Sequence, residues 1–263
     1  MSDWSAAQYL KFEQERTQPS RDLASRITLK KHGRIIDLGC GPGNSTCILL
    51  EKFSDSDILG VDNSADMIAR AQNNCPKCKF QFFQISPDIQ LNGRYDLIFS
   101  NACIQWIPEH KRLISKLFSA LTDDGILAVQ VPETRNMPMY KVLSTLQANA
   151  KWAASLSEIR NFYTLEMEEY YEILSQLSPD FSIWETNYIH RINGIDGLIE
   201  WYRGSGLRPY LAALTESQSS EFIQDIKERL REFYPLRSDG SLLMRFPRLF
   251  FTLVRHNKNG GKE

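Results

Sequence analysis

The 263-residue chain carries almost no net charge, with 31 Lys and Arg against 32 Asp and Glu for a formal −1. So even a balance gives no electrostatic reason to expect nucleic acid as a partner, because that binding draws on a basic excess. Long apolar runs are also missing, and none approaches the roughly 18 residues that cross a bilayer. Met1-Ser2-Asp3-Trp4 opens with no basic stretch leading into an apolar one, so no secretory leader is expected and the cytoplasm is the expected location. Histidine is scarce. His32, His110, His190 and His256 are scattered, form no pair, and are expected to be non-catalytic. The five cysteines are an odd count in a chain long enough to bury a core without disulfide staples. Cys75-Pro76-Lys77-Cys78 spells C-x-x-C, but no second Cys/His pair completes a zinc site. It also precedes a predicted strand instead of opening a helix after one. Reduced thiols in a turn, and no metal, are the expectation.

What the chain does carry is alternation. Short apolar runs predict strands over 35–38, 58–62, 80–85, 95–100 and 126–131, with a turn at Asp123-Asp124-Gly125. Helical spacing falls between them over 44–53, 64–74 and 108–121, and an earlier helix over 5–26 is divided at Pro19. Parallel neighbours cannot be joined by tight turns, so this alternation predicts an α/β fold with a doubly wound, mostly parallel sheet. Beyond residue 132 the pattern changes to long helical stretches over 138–160, 165–177 and 195–234, the last broken around 204–209. The expected organisation has four parts: a core over 1–132 with an N-terminal helical cap; a mainly helical lid over 133–248 that returns a strand near 181–192 to the sheet; a last strand, antiparallel, over 249–257; and a disordered tail over 258–263. In open sheets of this kind ligands lie beyond the carboxyl ends of the strands.

The first strand runs into Asp37-Leu38-Gly39-Cys40-Gly41-Pro42-Gly43-Asn44-Ser45. Glycine lacks Cβ, so this backbone can turn sharply and lie against a ligand. The spacing is Gly-x-Gly-x-Gly, with Asn44 where a dinucleotide fingerprint has its third glycine. The loop therefore suits a nucleoside other than NAD, and S-adenosylmethionine is the leading candidate. That molecule has no pyrophosphate to rest on a helix N-terminus, and its ammonium needs acidic and carbonyl acceptors. Asp37 and Asp62 each end a strand. On neighbouring strands, Asp62 would accept from both ribose hydroxyls. Asp37 would face the ammonium end or hold the loop, and Met67 would cover the adenine.

The 37–45 loop resembles the first motif of class I S-adenosylmethionine-dependent methyltransferases, whose Rossmann-like sheet has seven strands. Further segments are similar to those of the bacterial trans-aconitate methyltransferases within that class. They are the N-terminal segment with Trp4, Tyr9, Phe12, Glu15, Arg16 and Pro19, then Asn101-Ala102-Cys103-Ile104-Gln105-Trp106-Ile107-Pro108, Leu127-Ala128-Val129-Gln130-Val131-Pro132, Gly206-Leu207-Arg208-Pro209-Tyr210 and Phe246-Pro247-Arg248-Leu249-Phe250. The resemblance implies cofactor contacts from Tyr9, Arg16, Asp37, Gly39, Cys40, Gly41, Asn44, Asp62, Asn63, Met67, Gln84 and Asn101. It departs at one place: many relatives end the third strand with an Asp that accepts from the adenine amino group. That place here holds Gln84, or Asp88 with a shifted strand end. A glutamine carbonyl accepts the same bond.

The activity implied is methyl transfer to a carboxylate of trans-aconitate, giving a monomethyl ester. A carboxylate of pKa about 4 is already anionic at neutral pH, so no general base and no catalytic side chain is expected. Orientation and exclusion of water supply the rate, with Trp106 as a wall. The non-reacting carboxylates need cationic clamps, and a guanidinium matches a carboxylate fork. Arg208 and Arg248 are the first choices and Arg203 and Arg245 the second, with Gln105 and Trp106 at the mouth of the site. Tyr9 would lay its ring over the sulfonium. The alternative acceptors are another small di- or tricarboxylate, or a carrier-bound malonyl group that needs an exposed basic surface. The expected partner is thus a small tricarboxylate, with no nucleic acid, membrane or obligate protein partner.

Overall fold

The structure is a computed structural model that describes residues 13–30, 33–159 and 162–256, with side chains from residue 17 onward. Tyr9, the side chain of Arg16 and the expected tail over 258–263 lie outside the described residues. Among the described residues, no helix is long and apolar enough to cross a membrane.

Two compact units share the chain. Among the described residues, the larger comprises 14–30, 33–132, 162–186 and 248–256, and the smaller 13, 133–159 and 187–247. The strands are β1 (Arg34–Leu38), β2 (Asp57–Asp62), β3 (Lys79–Phe82), β4 (Tyr95–Asn101), β5 (Leu121–Pro132), β6 (Phe181–Asn193) and β7 (Ser241–Val254). They form one sheet in the order β3-β2-β1-β4-β5-β7-β6. The first five pair in parallel, and β7 runs antiparallel to β5. The chain winds outward from β1 to β3 and then returns to β4 on the other side of β1. This reversal leaves a crevice between β1 and β4, the place where ligands settle in such sheets. The doubly wound, mostly parallel, seven-stranded fold is the one the sequence predicts.

The helices are α1 (Glu13–Ser25), α2 (Asn44–Lys52), α3 (Ala65–Asn74), α4 (His110–Ser119), α5 (Pro138–Gln147), α6 (Ala150–Leu156), α7 (Met167–Leu177), α8 (Gly194–Arg203), α9 (Arg208–Ala212) and α10 (Glu216–Leu230). In the larger unit, one sheet face presents Ile36, Leu38, Ile98, Leu127, Val129, Leu249 and Phe251 to Leu113, Ile114 and Leu117 of α4 and Tyr170, Ile173 and Leu174 of α7. These helix positions recur at three and four residues, giving each helix one apolar stripe. His110 is buried between them, with Nε2 2.8 Å from the Ile104 carbonyl and Nδ1 2.7 Å from the Tyr170 hydroxyl. A carbonyl can only accept, so Nε2 carries the proton and Nδ1 accepts from Tyr170.

The smaller unit packs Trp152, Trp201, Tyr202, Phe222 and Leu198 into a second core, where Trp152 Nε1 donates to Asp225 Oδ2 at 2.8 Å. Several boundaries differ from the sequence expectation. The stretch over 138–160 is two helices, because the Asn149 side chain accepts from the Lys151 N–H at 2.9 Å and caps α6. Strand β3 stops at Phe82, which leaves Gln84 beyond it. Strand β5 starts early, at Leu121, and the Asp123-Asp124-Gly125 turn lies inside it as an irregularity between the Tyr95–Leu121 and Leu97–Ile126 pairs. Strand β7 begins at Ser241 instead of Leu249, with Leu242, Met244 and Phe246 buried alternately with exposed Leu243 and Arg245.

Candidate active site

Leaving β1, the chain turns through Gly39, Gly41 and Gly43, at φ +70°, +54° and +94°. Two of these glycines are needed for packing. A Cβ on Gly39 would lie 2.3 Å from Cys103 Sγ, and one on Gly43 would lie 3.2 Å from the Ala71 backbone in α3. A Cβ on Gly41 would meet nothing within 4 Å among the described residues, so its backbone is bare and open to a ligand. The N–H groups of Gly39 and Cys40 both donate to the Val61 carbonyl, at 2.8 and 3.0 Å, and tie the turn to β2.

Two acids flank the turn. Asp62 Oδ2 accepts from the Gly41 N–H at 3.0 Å and Oδ1 from the Ser64 N–H at 2.9 Å. Burial raises its pKa and outweighs those N–H groups. Each oxygen keeps a further lone pair for a hydroxyl donor. Asp37 is fully buried; its Oδ2 accepts from Ser45 Oγ and Thr46 Oγ1, both at 2.6 Å, and its Oδ1 has no partner. Burial pushes this carboxyl up to about 6 against the pull of the two hydroxyls, with nearby Asp62 adding to the rise.

The strand register extends this site across the sheet. Asp37 pairs with Gly60 and Phe99, Asn101 with Gln130, Gln130 with Phe250, and Pro132 with Arg248. Side chains alternate along a strand, so Asp37, Asp62, Asn101, Gln130 and Arg248 share one face at the carboxyl end of the parallel strands. Antiparallel β7 enters the row from the opposite direction. The order along this edge is two acids, two amides and a guanidinium. Arg248 is 6% exposed, and Gln130 is completely buried. Among the described residues, neither amide atom of Gln130 is hydrogen-bonded, and Asn101 Oδ1 has no partner. Ala102 follows at φ +53°, a strained value for alanine, with its N–H donating to the Gln130 carbonyl at 3.0 Å. Gln105 Nε2 donates to the Ala102 carbonyl at 2.7 Å, while its buried Oε1 has no partner. Trp106 packs edge-on against Phe162, with ring centroids 4.4 Å apart.

The other anticipated residues are more dispersed. Asn44 opens α2, and its Nδ2 reaches Thr17 Oγ1 at 3.5 Å. Cys40 is buried in the loop, and burial pushes its thiol pKa up. Asn63 is exposed just after β2, whereas Met67 is buried in α3. Gln84 is exposed and adjoins Phe83, whose N–H donates to the Asp62 carbonyl at 2.9 Å. Asp88 is ion-paired with Arg112, so Gln84 is the better placed of the two adenine candidates. Arg248 lies in the larger unit and Arg203, Arg208 and Arg245 in the smaller. Arg203 contacts Glu200 at 2.8 Å, Arg208 is partly exposed, and Arg245 is exposed. The thiols of Cys75 and Cys78 lie 3.5 Å apart in a turn closed by the Cys78 N–H on the Cys75 carbonyl. Gln130 is not among the site residues expected from the sequence. Two signals mark it there: a polar residue inside the apolar strand at 126–131, and its place in the family-like segment Leu127–Pro132.

A family model described as a methyltransferase domain matches residues 29–183. The chain is 36% identical over 252 residues to the trans-aconitate 2-methyltransferase of Variovorax paradoxus, covering 95% of this chain and 97% of that one. It is 38% identical over 257 residues to the trans-aconitate 2-methyltransferase of Methylobacterium nodulans, covering 97% and 99%. Among solved structures, its fold is similar to that of the YcgJ protein from Bacillus subtilis, with a TM-score of 0.61 at 12% identity over 91% of this chain and 99% of that one. The chain belongs to the methyltransferase-domain family and, within it, to the trans-aconitate 2-methyltransferase family.

Proposed function

We propose that the protein methylates one carboxylate of trans-aconitate with S-adenosylmethionine, giving a monomethyl ester. The observation that carries this reading is the order of charge along one sheet edge, from Asp37 and Asp62 through Asn101 and Gln130 to buried Arg248. Acids at one end suit a ligand with an ammonium and ribose hydroxyls. A buried guanidinium at the other end suits a carboxylate. The name borne by the relatives points to the same acid.

The loop residues fit the cofactor. Gly41 offers bare backbone, the open Oδ1 of Asp37 suits the ammonium, Asp62 suits the ribose hydroxyls, and Gln84 suits the adenine. When bound, the cofactor supplies an electrophilic methyl on a sulfonium. The acceptor, with a pKa of about 4, is anionic at neutral pH, so no residue has to take a proton. His110 is neutral and held on both ring nitrogens, away from that task. An anion and a cation become two neutral groups, so a dry site favours the reaction, and Trp106 backed by Phe162 serves as the wall against water. Arg248 clamps a carboxylate that does not react. Arg208 is a second clamp on the strength of its sequence motif; Arg203 and exposed Arg245 rank below it. A carrier-bound malonyl group fits less well, because docking an acidic carrier needs exposed basic residues, whereas Arg248 is buried.

The test is incubation with methyl-labelled S-adenosylmethionine and trans-aconitate, read by mass spectrometry. A labelled monomethyl ester is expected. Label found only on a different acid would overturn the substrate, and label on no carboxylate would overturn the activity.

A further inference from the structure

The geometry points to Gln130 as the group that holds the carboxylate to be methylated, an assignment that rests on the carboxyl-methylation reading. Its side chain is completely buried, and among the described residues neither Oε1 nor Nε2 has a hydrogen-bond partner. Native folds pair nearly all such groups, because an amide stripped of water and given nothing in exchange is a net cost. A leucine would fill the same volume without that cost. An amide kept under these conditions is available to a ligand that brings a complementary polar group.

Its neighbours say which ligand. Gln130 pairs with Asn101 on β4, on the side of the acids, and with Phe250 on β7, two positions from Arg248 on the same face. It thus stands between the residues suited to the cofactor and the buried guanidinium. The strained Ala102 turn is anchored on its main-chain carbonyl and brings the unpartnered Gln105 Oε1 to the same end of the sheet.

The reaction explains why an amide belongs there. One carboxylate oxygen forms the new O–C bond as the S–C bond breaks, with that electron pair passing to sulfur and no proton moving. The acceptor loses its charge in this step. A guanidinium against it would stabilise the charged ground state more than the transition state and slow the reaction. The Gln130 Nε2–H orients the carboxylate as a neutral donor and leaves its nucleophilicity largely intact. Its Oε1, an acceptor, suits the polarised C–H bonds of the methyl in transit. The labour is divided: a neutral amide serves the carboxylate that reacts, and Arg248 serves one that keeps its charge.

Two variants test this beside the wild type, whose turnover on trans-aconitate is measured first. Gln130→Leu should fold with an equal or higher Tm and bind S-adenosylhomocysteine within threefold of wild type. Its kcat should nevertheless fall about 100-fold, the scale of a misplaced reactant. Gln130→Glu sets a second carboxylate against the acceptor at about pH 8 and should be slow there. Because burial raises a carboxyl pKa, this variant should regain activity relative to wild type toward about pH 6, where the protonated group again donates. A purely structural role would not produce that profile. Gln130→Leu with kcat/KM within threefold of wild type would overturn the assignment, as would a Gln130→Glu to wild-type ratio independent of pH. If wild type turns over no polycarboxylate, the functional reading fails and this assignment with it. If wild type is active and Gln130→Leu matches its kcat/KM within threefold, the assignment alone fails.

Discussion

Asp37 is buried with one oxygen bound by Ser45 and Thr46 and the other without a partner among the described residues. Burial holds its pKa at about 6, above the unfolded value. Between about pH 4 and that value the folded protein binds more protons than the unfolded chain, so stability falls as pH rises through this window. At about pH 8 the ionised side chain costs on the order of 3 kcal/mol. Asp37→Asn keeps an acceptor for both hydroxyls and removes the charge. It should raise Tm at pH 8 and weaken S-adenosylhomocysteine binding at least tenfold by calorimetry; a lower Tm with unchanged affinity would refute this account. The glycines divide in the same way. Gly41→Ala meets open space and pays only for its left-handed φ, about 1–2 kcal/mol. Gly39→Ala also collides with Cys103 and should lower Tm further, whereas Gly41→Ala should lose affinity for the cofactor product out of proportion to its Tm. These loop residues were legible in the sequence because glycines and acids at strand ends declare a turn and a charge. The role of Gln130 was not, because its family-like segment marks a stretch of strand without assigning a task to this side chain, and the missing partner in three dimensions is what sets it apart.

Neutral His110 joins α4, α7 and the turn before α4 through Tyr170 and the Ile104 carbonyl. Burial is the main cause that lowers its pKa. The unfolded chain therefore takes up this proton first as pH falls below about 6.5, and the stability His110 confers is present above that pH and lost below it. His110→Gln should lower stability by about 1–3 kcal/mol at about pH 7.5. The gap in Tm from wild type should narrow toward about pH 5, and a gap that stays constant would contradict the neutral assignment. Elements built on strong periodicity, such as α4 with Leu113, Ile114 and Leu117, could be read directly from the sequence. Ends set by a single side-chain bond could not, as at Asn149, where helical spacing continues across the break. The early start of β7 is visible in hindsight as alternation of Leu242, Met244 and Phe246, obscured by exposed Leu243.

At the scale of the whole molecule, the topology gathers residues from β1, β2, β4, β5 and β7 onto one edge although they span positions 37 to 248 of the chain. The sequence made the acid half of that edge plain through its loop. The arginine half came only through resemblance, because nothing local in the sequence says that β7 lies beside β5. The most direct measurement of the central claim, that opposite ends of this edge hold the cofactor and the acid, is a paired titration of two variants. Asp62→Ala should abolish heat on titration with S-adenosylhomocysteine. Arg248→Met should bind it as wild type does, while its KM for trans-aconitate rises at least tenfold. No binding of S-adenosylhomocysteine to folded wild type, or loss of cofactor and acid affinity together in both variants, would contradict the account.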